Sequence, residues 1–88
     1  MYEERKALER EARRRANRLA RLKARHEAIE TEIQAIEADL AKHLAEISAA
    51  GEAGDLARVE SLGREYQERQ TRLQALWAEW EQVGQLIE

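Results

Sequence analysis

Residues 19–47 read LARLKARHEAIETEIQAIEADLAKHLAEI. Within them Leu19, Leu22, His26, Ile29, Ile33, Ile36, Leu40, His43 and Ile47 alternate steps of three and four without a break. An α-helix with that repeat gathers all of these side chains on one stripe, the a/d seam of a coiled coil. The stripe is too apolar to face water and too narrow for the core of a large globule, so it needs a partner helix.

A second seam supplies that partner. Val59, Leu62, Tyr66, Arg69, Leu73, Leu76, Trp80, Val83 and Ile87 follow the same alternation. Between the seams lies Gly51-Glu52-Ala53-Gly54, the one plausible break in the chain. Gly51 reads as the C-terminal stop of the first helix, and Asp55 as the N-cap of the second, its carboxylate accepting from first-turn amides. The expectation is an all-α fold in which 1–88 form a single coiled-coil domain. Helix one runs over about 3–50, the turn is 51–54 and helix two runs over about 55–87, the two helices forming an intramolecular antiparallel coiled-coil hairpin.

The seams match when paired residue numbers sum to 102 or to 109. The first register brings Ile47 beside Asp55, whereas the second is read as needing a loop of about fourteen residues; short connections are commoner, so 102 is favoured. It sets His43 against Val59, Leu40 against Leu62, Ile36 against Tyr66, Ile29 against Leu73, His26 against Leu76 and Leu22 against Trp80. Arg69, the polar residue of the second seam, then faces Ile33. Residues 1 to about 14 project beyond helix two by roughly 20 Å.

Composition agrees with long helices. Of 88 residues 38% are charged and 43% apolar, with no Pro, no Phe and only four Gly, the profile of a coiled coil rather than of a disordered chain. The lack of Cys excludes disulfides, thiolate chemistry and Cys-ligated zinc, and fits a cytoplasmic protein. No apolar run reaches the length of a membrane span or resembles a signal peptide. The net charge of −3 conceals a strong asymmetry: residues 1–25 hold ten Lys or Arg and four Glu, while residues 26–88 hold five Lys or Arg and fourteen Asp or Glu. One end of the molecule is thus suited to an anionic partner.

At that end Arg10, Arg14, Arg18, Arg21 and Arg25 step by four, four, three and four along one flank of helix one. They span about 22 Å, a spacing suited to a nucleic-acid backbone, because guanidinium forks onto phosphate oxygens. Arg13 and Lys23 add charge beside them, as do Arg5 and Lys6. The plainer reading is a solvated face with local pairs, such as Glu9 with Arg13, or with Glu79 and Glu81 neutralising part of the stripe from across the hairpin. The seam weakens through Leu8, Ala12 and Arg15, which leaves this segment free to bind something or to pair with a second chain.

Other constellations carry less. His26 and His43 lie about 25 Å apart along one helix and cannot share a metal; both read as seam residues. Trp80 reads as a core knob flanked by Trp77. Ser48, Ser61, Thr31 and Thr71 have no His and carboxylate at catalytic spacing, and no phosphate-binding glycine loop is present. The chain is therefore read as having no catalytic residues, no metal site and no cofactor.

Three stretches resemble the C-terminal extension of ABC-F family ATPases of the Uup type. YEERKALEREARRR (2–15) is similar to the charged segment that leaves the second nucleotide-binding domain, and LKARHEAIETEIQAIEADLA (22–41) to the first helix of the extension. RVESLGREYQERQTRLQALWAEWEQV (58–83) closes on Trp77, Trp80, Glu81 and Val83 in the family's aromatic–Trp–Glu–aliphatic pattern. Family turns often carry Pro or an aromatic, where this chain has Gly51 and Gly54. The resemblance implies a two-helix coiled coil that binds nucleic acid, DNA in particular or ribosomal RNA. It also implies ATPase domains in a parent chain, which these 88 residues do not contain, and hence no ATPase activity of their own. The implied contact residues are Arg10, Arg13, Arg14, Arg18, Arg21, Lys23 and Arg25. The alternative is a structural or protein-interaction hairpin, a stalk or a dimerisation element self-associating through the overhang. A membrane-surface helix is weaker, since Leu8, Leu19 and Leu22 are the only large aliphatics among the basic residues.

Overall fold

A computed structural model describes residues 1–88. Two helices, α1 (Tyr2–Glu52) and α2 (Leu56–Ile87), form an antiparallel hairpin with no strands. The molecule is a rod of 79 × 17 × 14 Å. Neither helix is long and apolar enough to cross a membrane.

The turn is one residue pattern further on than Gly51. Helix α1 continues through Gly51 to Glu52, and the left-handed residue is Gly54, with φ of 72°. The Gly54 N–H donates to the Gly51 carbonyl at 3.1 Å and the Asp55 N–H to the Ala50 carbonyl at 2.9 Å. That is the paired closure of a Schellman motif, and it satisfies carbonyls that the helix end would otherwise orphan. Asp55 then caps α2 as expected, its Oδ1 accepting from the Arg58 N–H at 3.1 Å. Either glycine is able to stop a helix. Gly54 does so because it directly precedes the cap, so one residue ends α1 and the next begins α2.

A turn centred near Gly54 overturns the 102 register. The bridging side chains sum instead to 104 for Arg25–Glu79, Glu32–Arg72 and Glu46–Arg58. They sum to 106 for His26–Trp80, to 108 for Asp39–Arg69 and His43–Glu65, and to 110 for Glu30–Trp80. These pairs belong to the 109 seam, in which Leu22 is level with Ile87, Ile29 with Trp80, Ile33 with Leu76 and Ile36 with Leu73. Those residues make up the apolar core and its margin, centred on Ile29, Ile33, Leu76 and Val83. No long loop is needed, because α1 extends to Glu52.

Flanking charge explains why this register wins. On one flank, positions 25, 32 and 46 meet 79, 72 and 58, each pair opposite in sign. Sliding the helices to the 102 register would place Arg25 beside Arg72 and Glu32 beside Glu65, like against like, and keep only Asp39–Arg58 and Arg18–Glu79 opposite in sign, two rungs for and two against in place of three and one. The fourth rung, Asp39 with Glu65, is two carboxylates. The polar seam residues face it: His43 Nε2 lies 3.0 Å from Glu65 and Arg69 Nε 3.7 Å from Asp39. Arg69 is therefore level with Leu40, not with Ile33.

The shift in register lengthens the overhang. Helix α2 ends level with Leu22, so α1 runs alone from its N-terminus to about residue 21, roughly 30 Å rather than 20 Å. Every residue from 8 to 21 is exposed. Ile29 and Leu76, both fully buried, sit near the base of this arm and fasten it to the hairpin.

Candidate nucleic-acid interface

The arm is helical because Ala, Arg, Glu and Leu fill it and no Pro or Gly interrupts it. With no second helix alongside, its side chains meet each other or solvent. Glu9 pairs with Lys6 at 3.6 Å rather than with Arg13, and Lys6 also lies 5.7 Å from the Tyr2 ring centroid. Arg15 reaches Glu11 at 4.0 Å. Arg10, Arg13, Arg14, Arg18 and Arg21 make no ion pair at all.

At 100° per residue, Arg10, Arg14, Arg18 and Arg21 occupy a sector of about 80° on the side away from Leu8 and Leu19, with Arg13 at its margin. Arg14, Arg15, Arg18 and Arg21 line one shallow depression. Four like charges within about 12 Å repel one another, and an anion spanning them relieves that repulsion.

The structure removes Arg25 from this group. Its Nε and Nη2 donate to the two Glu79 carboxylate oxygens, both at 2.8 Å, in the bidentate geometry that guanidinium favours. Glu79 thus neutralises the end of the stripe from across the hairpin, and Glu81 takes no such part. Lys23 stands apart from the other cations at the rim of an open cleft of 630 Å³ where α2 ends, in company with Glu27, Glu30 and Glu81. Of the seven expected contact residues, five form one unpaired set, one is internally paired and one sits among carboxylates.

The remaining polar constellations are structural. His43 is buried, and its Nδ1–H donates to the Asp39 carbonyl at 2.9 Å. His26 stacks on Trp80 with ring centroids 4.8 Å apart, Trp80 donates to Glu30 at 3.0 Å, and Trp77 packs edge-on against Trp80. His26 Nε2 is buried without a partner, next to Gly84, where any side chain would begin 3.4 Å away. No group of three His, Cys, Asp or Glu side chains converges as metal ligands would.

Comparison with protein-family models, with curated proteins and with solved structures finds no match to this chain.

Proposed function

We propose that the chain is a nucleic-acid-binding coiled-coil domain whose basic arm grips phosphates while the hairpin holds the arm out. One observation carries this reading: the body of the rod pairs four of its five arginines, Arg25, Arg58, Arg69 and Arg72 being bridged to carboxylates and Arg64 alone unpaired. The arm leaves six of its seven unpaired, Arg5 as well as Arg10, Arg13, Arg14, Arg18 and Arg21, with Arg15 alone bridged. Nothing on the arm is shaped to read base edges, so affinity comes from the backbone with little sequence selectivity.

The ligand of this reading is DNA or ribosomal RNA, and the setting is the cytoplasm. The resemblance to the C-terminal extension of Uup-type ABC-F ATPases supports it, and would place the ATPase domains in the same parent chain and leave this domain with no chemistry of its own. A second reading, a structural or protein-interaction hairpin, is favoured by a separate observation: Leu8 and Leu19 stay exposed on the seam side of the arm. Fluorescence anisotropy with labelled duplex DNA and with an RNA stem-loop at low ionic strength separates the two. Binding to either nucleic acid supports the first reading, and binding to neither removes it.

A further inference from the structure

The flank of α2 treats two arginines near the base of the arm in opposite ways. Its positions 58, 65, 72, 79 and 86 recur every seven residues. The first four each meet a side chain of α1, at 3.7, 3.0, 3.0 and 2.7 Å. The fourth, Glu79, takes Arg25 through two charge-assisted hydrogen bonds. By the same sum of 104, the fifth position stands opposite Arg18, and it holds Leu86. Leu86 offers no acceptor, is 67% exposed and lies outside the apolar core. A carboxylate there would close one more rung of the ladder. With Leu86 in its place, Arg18 keeps no partner.

Both arginines belong to one stripe. At 100° per residue, Arg25 falls inside the sector of about 80° that holds Arg10, Arg14, Arg18 and Arg21. It lies about 6 Å beyond Arg21 along the helix axis, the same step that separates Arg10 from Arg14 and Arg14 from Arg18. Unpaired, Arg25 would continue the row of cations by one place.

We propose that α2 sets how many phosphates the arm grips: Glu79 withholds Arg25 from the nucleic acid, and the absence of a carboxylate at Leu86 leaves Arg18 to it. The inference rests on the nucleic-acid reading above. Glu79 and Leu86 are positioning residues, acting through the arginine that each holds or leaves free. A phosphate that reaches Arg25 must displace a carboxylate already seated on its guanidinium fork, in the geometry that binds an anion best. The side chains of Arg25 and Glu79 are 44% and 37% exposed, so an anion has access to the pair and the two acceptors compete. The contact surface therefore ends between Arg21 and Arg25, where the hairpin begins, and a bound duplex is kept to the arm.

Salt titrations of binding to one labelled DNA duplex test this. Glu79→Gln is expected to steepen the log–log slope by about 0.9, so that its advantage over the native chain grows about eightfold for each tenfold fall in salt. Leu86→Glu is expected to make the slope shallower by the same amount at unchanged helicity, since Leu86 is not part of the core. Stability and affinity then part company. Glu79→Gln loses a bridge and should melt at a lower temperature while binding more tightly, whereas a bridge that only fastens the hairpin would lower the melting point with no gain in slope. In an Arg25→Gln background, Glu79→Gln is expected to leave the slope unchanged, because the cation it would release is gone. An equal gain in both backgrounds would make Glu79 no more than a nearby negative charge and would overturn the proposal. So would a native slope of about −4 that Glu79→Gln does not steepen or that Leu86→Glu does not reduce, with the nucleic-acid reading left standing. A native chain that binds no duplex at low salt removes both.

Discussion

His43 and Glu65 meet at 3.0 Å across the hairpin, at the one rung of the charge ladder where both helices carry a carboxylate. The Nδ1–H of the same ring is committed to the Asp39 carbonyl at 2.9 Å. Both ring nitrogens thus face acceptors. A polar residue in the seam is here the consequence of two acidic neighbours, and Arg69 serves Asp39 in the same way.

Repairing that rung should therefore make its polar seam residue dispensable. Glu65→Arg alone takes the carboxylate away from the buried His43 ring and is expected to cost about 1 kcal/mol. Combined with His43→Leu, it offers Asp39 an exposed ion partner while the seam gains an apolar side chain, for a net stabilisation of about 1–2 kcal/mol. Thermal unfolding followed by circular dichroism checks both, and the order of the two melting points decides.

The turn yields two opposite expectations from two glycines. Gly54→Ala forces a side chain into left-handed backbone and is expected to cost about 1 kcal/mol. Gly51→Ala replaces a helical glycine that has open space around it and is expected to stabilise by up to about 1 kcal/mol. Chemical denaturation of the two variants measures both shifts. Had α1 stopped at Gly51, the two effects would be reversed.

Both seams, the Asp55 cap and the free basic arm were legible in the sequence as spacing and residue type. The register was also present, but in the flanks rather than in the seams. The seams repeat every seven residues and match equally well at 102 and 109, whereas the signs at 25, 32, 65 and 72 disfavour the lower sum. Arg25 leaves the set of unpaired arginines for the same reason, since this register brings Glu79 to it. What spacing cannot express is the choice between Gly51 and Gly54, which rests on a turn's hydrogen bonds.

The arm should be held less firmly than the hairpin. A lone helix of about twenty residues is marginal in water, while residues 26–50 are supported by α2. Hydrogen exchange is expected to show fast amide exchange before about residue 21 and slow exchange around Ile29 and Ile33. Added duplex DNA should slow the arm selectively. Equal protection along all of α1 in the absence of nucleic acid would argue that the arm has a partner of another kind.

Among the arginines, exposure and pairing predict different effects. Arg18→Gln removes an unpaired cation and is expected to reduce the magnitude of the log–log salt slope by about 1. Arg25→Gln removes one already held by Glu79 and is expected to change the slope little, at a loss of no more than about 1 kcal/mol of hairpin stability. Titrations of the two variants against the same labelled duplex compare them directly.

The most direct measurement is the salt dependence of binding by the native chain beside a variant with Arg10, Arg13, Arg14, Arg18 and Arg21 all changed to Gln. If the arm grips phosphates through these five side chains, the native slope is about −4 on duplex DNA, and the variant binds weakly with a slope near zero. A variant that keeps the native affinity and slope, with its hairpin intact, would contradict the account.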